Sequence, residues 1–233
     1  MILKKWDELP EKIKNDDVKK YYELLKKKQG CLVLKRIFDI VVSALMLIIL
    51  SPVFLVLAIL IKIDSKGPVF YRLVRVTTYG KKFRIFKFRT MVQNADKIGT
   101  QVTVNNDSRV TKIGAFLRKF RLDEISQLID VFRGTMTFVG VRPEVPKYVE
   151  HYSDKMLATL LLPAGITSKT SIYYKDESEL LDNAFDVDKT YIDQVLPEKM
   201  RLNLKGIEEF SFFSDIKIMF MTVFAMLGKE YTE

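Results

Sequence analysis

The stretch IVVSALMLIILSPVFLVLAILI, residues 40–61, is a 22-residue run without a charged side chain, and a Ser51-Pro52 pair sits at its middle. At about 1.5 Å per residue a straight helix of this length crosses a hydrocarbon core of roughly 30 Å. Pro52 argues against a straight helix. It lacks the N–H that would bond the carbonyl of Ile48 and its ring crowds that carbonyl, so the helix bends at its midpoint and neither half crosses alone. Lys26, Lys27, Lys28, Lys35 and Arg36 precede the run, and Lys62, Lys66, Arg72, Arg75, Lys81 and Lys82 follow it. Positive charge beside a membrane segment favours the cytoplasmic side, so basic flanks at both ends predict a re-entrant hairpin that enters and leaves one leaflet, broken at Ser51 and Pro52. A plain spanning helix is the simpler alternative.

Working outward, 233 residues at 48% hydrophobic leave room for this one membrane element and one domain of ordinary size. The expected fold is α+β: a compact, helix-rich domain with short strands, anchored by a helix-break-helix. The expected divisions are a charged N-terminal arm at 1–34, a membrane helix at 35–64 and a cytosolic domain at 65–233 ending in an amphipathic helix. The arm's 16–28 segment reads as a helix near the headgroups or as a solvated arm. Met1 to Lys5 lack the apolar core and small-residue cleavage site of a secretory signal, so the 40–61 run is expected to stay as an anchor. The single cysteine, Cys31, allows no internal disulfide and fits a reducing compartment. A net charge of +9 and a pI near 9.4 imply an anionic partner. With the anchor beside them, these charges favour membrane lipids or a phosphorylated substrate, and no helix, finger or aromatic-platform signature supports nucleic acid.

Beyond Ser65-Lys66-Gly67-Pro68, which reads as a turn, 69–72 and 83–89 read as short strands around Tyr79-Gly80. Alternation of Phe86 and Phe88 with Lys87 and Arg89 puts both cations on one strand face, open to a phosphate or merely solvated. A helical region over 114–132 carries Leu122, Ile125, Leu128, Ile129 and Phe132 on one face, a stripe expected in the core. Gly134, Gly140 and Pro143 break that pattern, Pro163-Ala164-Gly165 marks a turn, a polar stretch covers 176–188, and 212–227 is an apolar helix holding Asp215 and Lys217.

The densest chemical candidate is Leu117-Arg118-Lys119-Phe120-Arg121-Leu122-Asp123-Glu124, two adjacent carboxylates behind a cationic run. In mid-helix such neighbours point about 100° apart, but at a helix start one acid can hold a cation while the other faces a substrate. That arrangement suits phosphoryl transfer, with Arg109, Arg118, Arg121, Arg133 and Arg142 available for phosphate oxygens. A salt-bridged surface pair is the competing reading, since such pairs are frequent.

Several blocks resemble, in order, the monotopic polyprenyl-phosphate phosphoglycosyl transferases, or bacterial sugar transferases. They are Lys35-Arg36-Ile37-Phe38-Asp39 before the apolar run, Gly67 to Arg72, Lys87-Phe88-Arg89-Thr90-Met91, Asp107-Ser108-Arg109-Val110-Thr111, Leu122-Asp123-Glu124 with Gln127-Leu128, Val139-Gly140 with Arg142-Pro143-Glu144, and Pro163 with Gly165-Ile166-Thr167. The resemblance covers about residues 35–229. It implies an enzyme on the cytoplasmic face of a bacterial inner membrane that starts a surface glycan. Asp123 attacks the sugar-bearing phosphorus of a UDP-sugar, UMP leaves, and the phosphosugar passes to polyprenyl phosphate. By the same carry-over Glu124 helps bind Mg2+, Lys87, Arg89, Arg109, Arg118 and Arg142 contact phosphates, and Glu144 orients. Leu73, Val76-Thr77-Thr78, Ile125-Ser126, Val141 and the 168–174 segment depart from the family's pattern, so neither the sugar nor the glycan pathway follows, and homo-oligomerisation stays open. Asp186 and Asp188 suggest a rival, a nucleotide-sugar glycosyltransferase releasing UDP, and a non-catalytic adaptor holding anionic lipids is a second. His151, the only histidine, reads as a surface residue.

Overall fold

The structure is a computed structural model that describes residues 2–95, 107–173, 186–229 and 231. Two long helices carry the apolar run, α2 (Gln29–Ile49) and α3 (Ser51–Asp64), bent by 61° at the break. No single described helix is long and apolar enough to cross a membrane. The bend follows from the missing N–H of Pro52, and Ser51 compensates for it: its Oγ donates to the orphaned carbonyl of Ile48 at 2.8 Å. Most of the pair stays uncovered, with Leu45, Ile48, Ile49, Leu55, Val56, Ile59 and Ile63 all more than half exposed.

The first helix, α1 (Asp16–Lys27), is capped by Asn15, whose side chain accepts the Val18 N–H, and it places acids at its start and lysines at its end, as the helix dipole favours. Its face of Val18, Tyr21, Tyr22 and Leu25 is fully buried against the 156–161 segment and α6 (Leu196–Glu208). Within the 1–34 segment, 16–27 is therefore packed on the domain by one face rather than being solvated all round. A charged sequence with an apolar stripe docks by that stripe, and residues from Gln29 onward already belong to α2.

Strands β1 (Phe70–Val76) and β2 (Lys82–Phe88) form an antiparallel ribbon close to the expected one, pairing Phe70 with Phe88 and Val76 with Lys82. The helix expected over 114–132 is broken into α4 (Lys112–Lys119), a 3-10 segment (Leu122–Gln127) and α5 (Leu128–Arg133), because Arg121 takes a left-handed conformation, φ 55°, ψ 20°. The break turns the segment, and the buried face past it is polar: Asp123, Ser126, Gln127 and Asp130 are covered, while Phe132 is exposed. The apolar stripe is thus only partly core.

A pair missed in the sequence, β3 (Met136–Val139) and β4 (Ala164–Thr167), is parallel and two-stranded. Its continuation explains two of the glycine blocks. A Cβ on Gly165 would lie 2.2 Å from the nitrogen of Gly140, so only glycine permits the Gly140 N–H to reach Thr167 and the Gly165 N–H to reach Val141, at 2.9 and 2.8 Å. That contact directs the chain leading to Arg142. The last described helix, α7 (Phe212–Met226), begins with a reciprocal Ser211–Ser214 capping box.

The domain grips α2 through its charged residues. Lys35 is buried and donates to the Val139 carbonyl at 2.7 Å and to Asp215 at 2.5 Å. Arg36 caps α5 through the carbonyls of Val131 and Phe132, and buried Asp39 accepts from Thr137 Oγ1 at 2.7 Å. Lys35 and Arg36, counted above among the membrane-flanking charges, thus serve as fasteners to the domain. Burial pushes the Asp215 carboxyl up, with Asp39 adding to the rise and Lys35 opposing it.

Candidate active site

The left-handed turn at Arg121 and the 3-10 segment put Asp123 and Glu124 at the start of a helical stretch rather than within one, so the two side chains can take different tasks. β2 lies across this segment. Lys87, one residue from its end, reaches Asp123 Oδ2 at 2.9 Å and Glu124 Oε1 at 3.4 Å. From the loop after β3, Arg142 donates to Glu124 Oε1 at 2.6 Å. Asp123 is almost entirely covered, whereas Lys87 and Arg142 are about one third and two fifths exposed, at 33% and 43% of their side chains. The acids thus lie at the floor of the site and the cations at its rim.

Burial works to raise the Glu124 carboxyl, but Arg142 and Lys87 outweigh it and hold the group at about 2. It stays ionised through the neutral range. Arg118, at the end of α4, is held by Thr90 Oγ1 at 2.9 Å and feels Asp123 electrostatically; burial lowers its guanidinium while Asp123 and Asp107 oppose that. Arg121 sits exposed beside the pair and adds to the pull on Glu124.

Three further residues of the expected set do not touch the acidic pair. Arg89 is buried and faces away from the pair, donating to the carbonyls of Lys66, Ser65 and Ile61 at 2.6, 2.6 and 3.3 Å. It follows the last residue of β2, where strand alternation no longer keeps it beside Lys87, and the carbonyls at the end of α3 attract a cation. Arg109 folds back onto Asp107, with Nη2 at 2.6 Å from Oδ2, and onto the Ala95 carbonyl. Glu144 accepts from the Tyr191 hydroxyl at 2.6 Å and faces Lys199, in a separate buried network. Asp186 caps a short helix by accepting the Lys189 N–H, and Asp188 is engaged by Lys147 and Tyr148. The two acids of the rival motif are therefore occupied separately. His151 is exposed, as expected, and most of the 176–188 polar stretch, with Tyr174, lies outside the described residues.

One carboxylate escaped the sequence reading. Asp130, buried on α5, accepts the backbone N–H of Phe86 at 2.7 Å. Its only signal was its spacing, seven residues past Asp123, two helical turns on the same side.

Among the described residues no group of three or more acids, histidines or cysteines forms a metal cage. A Mg2+ ion does not require one, since it commonly takes one or two carboxylates and completes its shell with water and substrate phosphates. Glu124 fits that role: both cations bond its Oε1, and among the described residues its Oε2 has no hydrogen-bond donor. Asp123 Oδ1 likewise has none, which leaves one oxygen of the covered carboxylate available to react.

The sequence profile described as bacterial sugar transferase matches residues 31–229. Among curated relatives, a UDP-glucose:undecaprenyl-phosphate glucose-1-phosphate transferase of Escherichia coli (strain K12) is 38% identical over 196 residues, covering 82% of this chain and 39% of the relative. A UDP-N-acetylgalactosamine-undecaprenyl-phosphate N-acetylgalactosaminephosphotransferase of Aeromonas hydrophila is 32% identical over 197 residues, 83% of this chain and 44% of the relative. The exopolysaccharide production protein ExoY of Rhizobium meliloti (strain 1021) is 31% identical over 205 residues, 81% of this chain and 83% of the relative. The matched part is thus about two fifths of the length of the first two and most of the third.

Proposed function

Since the chain belongs to the bacterial sugar transferase family, we propose that it transfers a sugar-1-phosphate from a UDP-sugar to a polyprenyl phosphate at a membrane surface, with Asp123 as nucleophile. The observation that carries this reading is the convergence of Lys87 and Arg142 on the Asp123-Glu124 pair, with no donor to Asp123 Oδ1 among the described residues. In the first step Oδ1 of Asp123 forms a bond to the β-phosphorus, the bond from that phosphorus to the bridging oxygen breaks, and UMP leaves with the bridging oxygen. In the second step a phosphate oxygen of the lipid attacks the same phosphorus, and Asp123 leaves as a carboxylate. The product is a polyprenyl diphosphate sugar.

Each cation has a task. Lys87 lies against the oxygen of Asp123 that does not attack, orienting the carboxylate and offsetting its repulsion with an anionic donor. Arg142 and exposed Arg121 face the rim where phosphate oxygens arrive. Arg118, tied to Thr90, keeps positive potential behind the nucleophile. Glu124, through Oε2, would hold a Mg2+ ion, which would supply neutralisation of the diphosphate charge.

The bent helix pair serves delivery. We read α2 and α3 as re-entrant, entering the cytoplasmic leaflet of a bacterial inner membrane, which places the site where a lipid phosphate meets a soluble nucleotide sugar. The exposed apolar side chains of both helices support burial in lipid. A screen of UDP-sugars against polyprenyl phosphate, read out as nucleotide product, tests the reaction. UMP is expected; UDP release with every active donor would instead favour direct glycosyl transfer.

A further inference from the structure

Asp123, Ser126, Gln127 and Asp130 recur at the three- and four-residue spacing of one helical side and are all buried. At its two ends that side meets consecutive residues of β2. Asp123 receives the Lys87 ammonium at 2.9 Å, and Asp130 Oδ2 receives the Phe86 N–H at 2.7 Å. Among the described residues the ribbon has only two strands, and no further strand pairs with the outer edge of β2. A carboxylate fills that vacancy at the residue preceding Lys87.

We propose that Asp130 is the positioning residue of this site, holding the outer edge of β2 at the height that sets the Lys87 ammonium against Asp123. Asp130 is 2% exposed, and its geometry is itself fixed: Thr135 Oγ1 donates to its Oδ1 at 3.3 Å, and its own carbonyl accepts the N–H groups of Gly134 and Thr135, which close the end of α5. On the strand side the Phe86 ring is covered by the Arg72 guanidinium at 3.4 Å from its centroid, with the Arg133 guanidinium at 5.9 Å. The strand is therefore pinned at Phe86 by both backbone and ring. A strand transmits such a pin stiffly to its neighbour, and a slip of about 1 Å is enough to open the 2.9 Å Lys87–Asp123 ion pair into a loose one. Sequence distance hides the link, because Asp130 and Phe86 are 44 positions apart.

The test compares Asp130→Leu, which keeps the bulk and removes the acceptor, with Asp130→Asn, which keeps a side-chain oxygen. If the leucine variant does not fold, Asp130→Ser, too short to reach Phe86, takes its place. One arm needs no turnover: the rate at which Lys87 is acetylated by an N-hydroxysuccinimide ester, read by peptide mass spectrometry in detergent. At least a threefold rise in Asp130→Leu, with Asp130→Asn at the native rate, is expected. The kinetic arm rests on the proposed function and uses the donor that releases UMP: kcat falls at least tenfold in Asp130→Leu while KM for the donor changes less than twofold, and Asp130→Asn recovers kcat. An unchanged Lys87 rate in a folded Asp130→Leu or Asp130→Ser protein overturns the proposal, as does an Asp130→Asn protein as impaired as the leucine variant. Absence of turnover by the wild-type chain with every UDP-sugar overturns the functional reading instead, and the acetylation arm then decides on Asp130 alone.

Discussion

Asp123 and Glu124 are chemically alike neighbours that the fold treats differently. Asp123 is covered and has Lys87 on one oxygen, with no donor to the other among the described residues, while Glu124 has Lys87 and Arg142 on the same oxygen and is held at about 2. Asp123→Asn keeps the size of the side chain and removes its nucleophilic charge, so turnover is expected to fall by at least ~10³-fold with folding and membrane association intact. A stoichiometric burst of UMP before any lipid acceptor is added, with the sugar phosphate on the Asp123 peptide by mass spectrometry, is the matching positive result. UMP appearing only after the acceptor would demote Asp123 to a metal ligand. Glu124 makes a pH prediction. Its folded value lies below an ordinary carboxylate's, so its contribution is fully present above the unfolded value of about 4.3 and is lost as pH falls toward about 2. Arg142→Met removes the strongest opponent of burial there, and acid unfolding followed by circular dichroism should move to higher pH. Chelation by excess EDTA should stop turnover in the wild type, and an undiminished rate would remove the metal from the reading.

At the scale of elements, two devices shape the anchor at its bend and at its far end. Ser51 and Pro52 set the bend, one by orphaning the Ile48 carbonyl and the other by occupying it. Replacing both by leucine restores the backbone bond and should straighten the pair toward a spanning helix. Single cysteines near Lys28 and Lys66, in a Cys31-free background, should label only from the cytoplasmic side in the native chain and from opposite sides in the straightened one. Arg89 is the second device, closing the end of α3 through three carbonyls. Gly67 makes room for it: a Cβ there would sit 1.9 Å from Arg89 Nη1, and the residue's φ is +125°. Gly67→Ala should therefore cost on the order of 2–4 kcal/mol, visible as a lower melting temperature in detergent. The chain from 67 to 89 reads correctly as a turn and a hairpin because turn residues and alternation are local signals. Arg89's partners were not legible, since nothing in a strand pattern says which helix end lies beyond it.

Over the whole molecule, apolar surface is left open on α2 and α3 and also at Phe213, Phe220 and Leu227 of the C-terminal region, whose helix packs on α2. Binding to lipid vesicles should therefore survive 1 M salt, where charges are screened beyond about 3 Å, and removal at that salt would point to the basic surface alone. What the sequence determined by itself was local or ordered along the chain: the apolar run and its proline break, the β1–β2 hairpin, the acidic pair, and the succession of blocks that carries the family. Each is written in contiguous residues, where period, turn chemistry and missing donors act within a few positions. Only the tertiary structure decided that the N-terminal segment docks in the core, that Lys35 and Arg36 fasten the anchor to the domain, that Lys87 and Arg142 close on the pair while Arg89, Arg109 and Glu144 do not, and that Asp130 holds the strand. Those outcomes depend on which charged groups burial brings within hydrogen-bonding distance across 18 to 180 positions of chain, and a cation's sequence neighbours do not specify which carbonyl or carboxylate will be there.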